Sequence, residues 1–290
     1  MLSLWLIFCS LFLQVLSSPK LDIKNFNLVK GVHLEGLRVL GDPKDFIKHY
    51  YDSGADEIIY HDVVASLYGR NQLKELVSRT ANNIFLPITV GGGISSIDSV
   101  QSMLASGADR IFANTAFVRN PKLINETVKY FGSSTIVASI ETMYRNDDYY
   151  CSIDFGREET QIKLEKWLAK IQEEGVGEII ITSIDHDGTG KGFDLKLAER
   201  ISKRIYIPYI INGGFGKLSH FDEVLNCCEP SGIAIGSLLH YGKKTNNLFS
   251  NNEEGNKDFI NKNKKYFNFG ELDLRKIKDY LKNKVSIRVI

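Results

Sequence analysis

Along the chain, short apolar runs alternate with segments whose apolar residues recur at helical spacing. The runs lie at Glu57–Tyr60, Ile88–Val90, Arg110–Ala113, Thr135–Ile140, Glu178–Thr182, Tyr206–Ile211 and Gly232–Ile235, and an earlier strand is expected near Leu21–Ile23. Helices are predicted between them at Asp45–Asp52, Leu73–Thr80, Ile97–Ala105, Pro121–Tyr130, Leu164–Glu174, Leu195–Lys203 and Phe221–Leu225, with a last one at Leu272–Leu281. Gly54, Gly107 and Gly175 supply stop signals. Strands alternating with helices of about ten residues imply a parallel sheet with crossover helices. Eight such units in 290 residues predict an α/β fold closed as a (β/α)8 barrel rather than an open doubly wound sheet.

The chain also repeats itself. Gly54-Ala55-Asp56-Glu57-Ile58-Ile59 recurs 121 residues later as Gly175-Val176-Gly177-Glu178-Ile179-Ile180. Pro87-Ile88 and Pro208-Tyr209, and Gly92-Gly93 and Gly213-Gly214, share that offset. Asn114-Thr115 pairs with Gly236-Ser237, and Leu21-Asp22 with Ile140-Glu141, at nearly the same one. This period is too long for a solenoid and fits a barrel made of two four-strand halves related by a pseudo-twofold axis.

Composition narrows the partners. With 36 Lys plus Arg against 35 Asp plus Glu, the net charge of +1 provides no field to attract nucleic acid or an anionic membrane, so any anionic ligand is held by local groups. Cys9, Cys151, Cys227 and Cys228 form no C-x-x-C pair and lie near no His cluster, so neither a metal site nor a disulfide framework is expected. No cofactor is expected either. Residues 1–18 form an atypical apolar segment that resembles a signal-peptide core without its basic start and is too short for a confident membrane span. Residues 19–290 are read as a single barrel interrupted at about 242–267 by a polar, low-complexity insertion rich in Asn and Lys.

Candidate chemistry gathers at the strand ends. Gly91-Gly92-Gly93 and Asn212-Gly213-Gly214 each follow a strand and precede a helix, where backbone N–H groups can face phosphate oxygens. In a barrel these loops converge on the C-terminal rim. With Asn114-Thr115 and Gly236-Ser237 they make two phosphate sites on opposite sides, which implies a long ligand with a phosphate at each end. Asp22 and Glu141 end strands one and five, and the twofold places them across the mouth from each other. Opposed carboxyl groups can divide acid and base roles when their surroundings differ. Lys30 is placed to meet a phosphate or polarise an oxygen, and Asp185 and Asp187 lie in a turn on the same rim.

The stretches LDIKNFNLVKG, EGLRVLGDP, TVGGGI, GADRIFANTA, GEIIITSIDHDGTGKGFD, NGGFGKLSHF and AIGSLLHY together resemble the cyclase subunit of imidazole glycerol phosphate synthase. That resemblance implies a twofold-symmetric (β/α)8 barrel that binds a bisphosphate nucleotide and works with a glutaminase subunit. Ammonia from glutamine crosses the barrel and reacts with the ribulosyl formimino-carboxamide nucleotide, giving imidazole glycerol phosphate and aminoimidazole carboxamide ribotide. It implies catalytic roles for Asp22 and Glu141, although the family's usual residue at the second position is Asp. It further implies substrate-binding roles for Lys30, Asp62, Thr182 and Asp187, and phosphate contacts at Gly92, Gly93, Asn114, Thr115, Gly188, Gly213, Gly214, Gly236 and Ser237. Glu57, Arg110 and Glu178 match an ammonia gate whose fourth member, an Arg, falls on Leu16, and Asp109 matches an acid at the glutaminase interface.

A cytoplasmic heterodimer with a glutaminase is therefore expected, with no nucleic-acid or membrane partner. The alternative is a barrel of the same type that only passes ammonia to a sugar amidotransferase acting in surface-polysaccharide modification.

Overall fold

The structure is a computed structural model that describes residues 15–65, 73–242, 272–282 and 284. The first fourteen residues and the low-complexity stretch from residue 243 onward lie outside the described residues.

Eight parallel strands close on themselves. They are β1 (Leu16–Lys24), β4 (Ile58–Asp62), β5 (Ile88–Gly91), β6 (Arg110–Ala113), β7 (Ile136–Arg145), β10 (Glu178–Ser183), β11 (Tyr209–Asn212) and β12 (Gly232–Ile235). Each pairs with the next in this order, and β12 returns to β1 with Leu16 opposite Gly232. The (β/α)8 barrel expected from the alternation is thus met. β1 begins at Leu16, so residues 16–18 of the apolar segment belong to the barrel wall.

The crossover helices are α1 (Pro43–Asp52), α2 (Leu73–Ala81), α3 (Ile97–Leu104), α4 (Thr115–Arg119) with α5 (Lys122–Phe131), α6 (Leu164–Glu173), α7 (Leu195–Ser202) and α8 (Ser219–Leu225). The one-turn α9 (Ser237–His240) follows β12, and α10 (Leu274–Leu281) ends the described chain. Local chemistry fixes several starts. The Asp42 carboxylate accepts from Lys44 N at 2.9 Å just before Pro43, and Ser96 and Ser99 form a reciprocal capping box. Asp194 caps α7 through Leu197 N at 3.0 Å. Among the described residues no helix is long and apolar enough to cross a membrane.

Four further strands were not anticipated. β2 (Asn27–Val32) and β3 (Glu35–Gly41) extend β1 as an antiparallel meander; β8 (Asp148–Ile153) and β9 (Glu158–Lys163) extend β7 in the same way. The two additions follow the first and fifth barrel strands, as a twofold repeat of half-barrels requires. They are hard to read from sequence because their turns run through residues such as Asn25, Phe26, His33 and Leu34, which take positive φ without a glycine signal.

The main core packs the helices against the outside of the barrel, with Phe46, Tyr50, Trp167 and Phe221 among its largest members. A second apolar layer of Ile59, Phe112, Val137, Ile180, Ile210 and Ala234 fills the barrel interior. A third, built from Val29, Leu34, Val63, Val64, Phe155 and Ile184, seats the two meanders over the C-terminal mouth.

Candidate active site

Asp22 lies near the C-terminal end of β1, fully buried, in register with His61 of β4. Its Oδ1 accepts from Lys20 Nζ at 2.6 Å and its Oδ2 from Lys30 Nζ at 3.0 Å. Lys30 also donates to Asp187 Oδ2 at 2.8 Å, which links β2 to the loop after β10. Burial alone would raise the Asp22 carboxyl; the Lys20 and Lys30 charges outweigh it and hold Asp22 well below the usual carboxylate range. Burial likewise disfavours the Lys30 cation, but Asp187 and Asp22 prevail and keep it firmly charged. Two of the three Lys30 N–H donors are therefore engaged by carboxylates inside the site. Asp185 serves the scaffold: its Oδ2 accepts from Tyr144 N at 2.7 Å and supports β7.

Glu141 is buried on β7, in register with Thr182 of β10, whose hydroxyl accepts from Asn212 Nδ2 at 3.1 Å. Glu141 Oε2 accepts from Gly156 N at 2.9 Å and from Asn114 Nδ2 at 3.1 Å. Burial pushes Glu141 up to about 7, against the opposing pull of Lys20 and of these donors. Two carboxyls of one mouth thus differ sharply: Asp22 stays ionised and Glu141 exchanges a proton near neutrality.

A cavity of about 280 Å3 opens beside Glu141 and is lined by Asp62, Gly92, Gly93, Asn114 and Thr115 with His61 and Phe155. It joins the first glycine loop to the carboxyl pair. Gly92 has φ +98°, and a β-carbon there would overlap the Asp62 carbonyl oxygen. Gly214 of the second loop has φ +90°, and a β-carbon there would overlap the Gly192 carbonyl oxygen. Glycine is required at both on conformational and steric grounds. Gly93 and Gly213 also take positive φ, so the two loops share one backbone form. Asp62 accepts from Val64 N at 3.1 Å, and burial raises its carboxyl.

Not every expected phosphate ligand faces open space. Asn114 spends its amide on Glu141 and on Ser152 O at 2.9 Å, and Thr115 Oγ1 accepts from Asp154 N at 2.9 Å. Gly188 packs against Gly31 of the first meander. Gly236 lies against Lys30, where a built β-carbon would be 3.5 Å from Cε. Ser237 Oγ is buried without a hydrogen-bond partner.

At the opposite, N-terminal end, Arg110 Nη1 donates to Glu178 Oε2 at 2.5 Å while Nη2 donates to Glu57 and Nε to Thr89 Oγ1 at 3.1 Å. Ser18 Oγ donates to Glu57 Oε2 at 3.1 Å. The three predicted ring residues are therefore brought together across β4, β6 and β10. Burial, aided by Glu57, pushes Glu178 up to about 7 despite Arg110. Asp109 accepts from Ile88 N at 2.8 Å on the same rim.

Residues 18–245 match the family model described as Histidine biosynthesis protein. The imidazole glycerol phosphate synthase subunit HisF of Legionella pneumophila is 50% identical to this chain over 204 residues, covering 70% of this chain and 96% of that subunit. The subunits HisF of Bacillus cereus strain Q1 and of Methanopyrus kandleri are 42% and 39% identical, each comparison covering 78% of this chain and 90% of the relative. The chain belongs to the histidine biosynthesis protein family. The sequence-level expectation of a HisF-type cyclase subunit, and with it of an enzyme, is met.

Within this HisF-type barrel, four participants carry little signal in the sequence. Lys20 lies just before the strand expected at Leu21–Ile23, and only the start of β1 at Leu16 makes it part of the barrel wall. His61 is buried with Nδ1 3.9 Å from Asp22 Oδ1, and that nitrogen has no hydrogen-bond partner. Burial, reinforced by Lys20, lowers His61 to about 3, so it is neutral at physiological pH. Its signal was the His-Asp pair at a strand end. Phe155 and Gly156 enter through the second meander, whose strands carried no clear alternation.

Proposed function

We propose that this chain is the cyclase subunit of imidazole glycerol phosphate synthase. It uses ammonia from a partner glutaminase to convert the ribulosyl formimino-carboxamide nucleotide to imidazole glycerol phosphate and aminoimidazole carboxamide ribotide. The observation that carries this reading is the split pair in one barrel mouth: Asp22 clamped by two ammonium groups, and Glu141 poised at about 7. Asp22 stays ionised throughout as a fixed negative charge, and Glu141 both gives and takes a proton at neutral pH. The Gly92-Gly93 loop with Thr115 and the Gly213-Gly214 loop with Ser237 take the two phosphates, so that the reacting centre lies over the carboxyls.

Ammonia enters between Glu57, Arg110 and Glu178 and crosses the apolar layer of Ile59, Val137 and Ile180. An apolar layer admits neutral ammonia and opposes ammonium, whose charge is costly to desolvate. Docking of the glutaminase on this rim is supported by Phe85 and Tyr206, 85% and 72% exposed in the loops before β5 and β11, and by Tyr130, 65% exposed in the last turn of α5 before β7. Aromatics this exposed suit an interface core. The free thiols Cys151, Cys227 and Cys228 fit the cytoplasm as the site of action.

The deciding experiment is turnover of the bisphosphate nucleotide by the purified chain with ammonium salt as nitrogen source. Formation of both products supports the cyclase. The extra methylene of Glu141 favours one second reading, a barrel that only conducts ammonia to a sugar amidotransferase. That reading wins if the chain activates a glutaminase but consumes no bisphosphate with either nitrogen source.

A further inference from the structure

The alternation of β1 puts Ser18, Lys20 and Asp22 on its inward face: Ser18 bonds Glu57 in the lower ring, and Lys20 bonds Asp22 at the mouth. Lys20 stands between ring and mouth and is 5% exposed. Asp22 Oδ1, at 2.6 Å, is its hydrogen-bond partner among the described residues, and the Phe155 ring centroid is 5.9 Å away. The other ammonium on Asp22, that of Lys30, is shared with Asp187. Two buried carboxylates, Asp22 and Asp187, thus share the one Lys30 cation. The second cation is committed to Asp22 alone.

We propose that Lys20 is a positioning residue that sets the acid–base division of this site: it holds Asp22 in place as a fixed negative charge and leaves Glu141 to carry the exchangeable proton. The inference rests on the reading of Asp22 and Glu141 as the reacting pair. Charge balance supports it. Lys20 and Lys30 match Asp22 and Asp187, so the buried cluster is neutral with Glu141 protonated and carries one negative charge with Glu141 ionised. Without Lys20 the same ionisation would leave two. A buried lysine is expensive unless its charge is used. The groups facing Asp22 are Lys20, Lys30 and His61; those facing Glu141 are Lys20, Asp22, Asn114 and the Gly156 amide.

The test compares the parent with Lys20→Met and Lys20→Arg by carbon-13 NMR titration of the Glu141 side-chain carboxyl, alongside the pH profile of ammonium-dependent turnover. Losing a cation disfavours the carboxylate, so in Lys20→Met the Glu141 midpoint should rise by about one pH unit. The alkaline limb of kcat should rise with it, while Lys20→Arg, which keeps the charge, titrates like the parent. An unchanged midpoint in a folded Lys20→Met overturns the proposal. Should that variant not fold, the parent decides: a Lys20 ammonium signal in slow exchange with water, lost in Asp22→Asn, supports the clamp, and its absence in the parent overturns it. A midpoint that moves in a chain with no cyclase turnover sinks the proposed function and leaves the positioning role standing.

Discussion

The side-chain amide of Asn114 reaches the carboxyl of Glu141 at 3.1 Å, from the end of β6 to the neighbouring β7. The side chain of a residue expected to meet a phosphate is thereby tied to the acid. Its donation stabilises the ionised form, so Asn114→Ala should push Glu141 above its value of about 7. A hydrogen bond to a charged group contributes ~1.5–3 kcal/mol, or about one to two pH units. The alkaline limb of turnover should move up accordingly, with little change in affinity for the bisphosphate. A pH–rate profile of the variant checks this; an unshifted limb would mean that Glu141 does not govern it.

Asp22→Asn should abolish turnover with ammonium salt, by roughly 10²–10³-fold, because it removes a preorganised negative charge from the mouth. Asp187 still pairs Lys30, but Lys20 is left buried without its counter-charge, so stability should fall by ~3 kcal/mol. Affinity for the bisphosphate should stay within about threefold, because the glycine loops hold the phosphates. Calorimetric titration and a denaturant midpoint separate the three effects.

Gly93→Asp sets a carboxylate facing the first phosphate site, and Gly214→Asp does so at the second. Each should weaken bisphosphate binding at least tenfold. Gly214→Ala isolates the steric part: with φ +90° and the Gly192 carbonyl in the way, it should cost ~2 kcal/mol of stability by itself. Parent-like binding in both Asp variants would refute a two-site bisphosphate mode.

The pH dependence of stability carries a further signature. A carboxyl raised in the folded state binds its proton more tightly there than in the unfolded chain, so stability falls as pH rises from 4.5 to about 7. Neutral buried His61 and His240, both lowered to about 3, act in the opposite sense below pH 6.5 and obscure the parent's profile. The difference between parent and Glu141→Gln cancels them. That variant should gain on the parent by ~3 kcal/mol between pH 4.5 and 7. Thermal midpoints at pH 5 and 8 measure it; a constant difference would place Glu141 in an ordinary carboxylate environment.

Much of this was legible before any coordinates. Period and glycine stops located the eight barrel strands because buried parallel strands and amphipathic helices have distinct apolar spacing. The half-barrel repeat, with an offset of 121 residues for the glycine loops and 119 for Asp22 and Glu141, singled out those positions. The meanders were hidden, since β9 is largely exposed and β3 half-exposed, and neither shows a clean alternation. With them went Phe155, Gly156 and the true partners of Lys30 and Asn114. Partner choice depends on which side chain reaches which atom across the mouth, and neither spacing nor residue type records that. Lys20 was invisible for the same reason: in sequence it is a lysine near a terminus, and only closure of β1 between β12 and β4 buries it.

Arg110 is the group on which the ammonia route turns. It is the cation between Glu57 and Glu178, and its three donating nitrogens hold β4, β5 and β10 together at the barrel floor. Arg110→Ala removes that cation and leaves Glu57 and Glu178 facing each other. Like charges so close raise at least one carboxyl further, so the ring loses its fixed geometry rather than its burial. The chemistry lies at the far end of the barrel, beyond the apolar layer, and should not sense the loss. Turnover with free ammonium should therefore stay within about twofold of the parent. Glutamine-dependent turnover, which needs an ordered passage from a docked glutaminase, should drop about tenfold or more, with ammonia escaping to solvent. Measuring both nitrogen sources on the same preparation, with released ammonia assayed alongside, tests the route. Equal loss in both assays would assign Arg110 to holding the barrel floor and leave the passage without a gate.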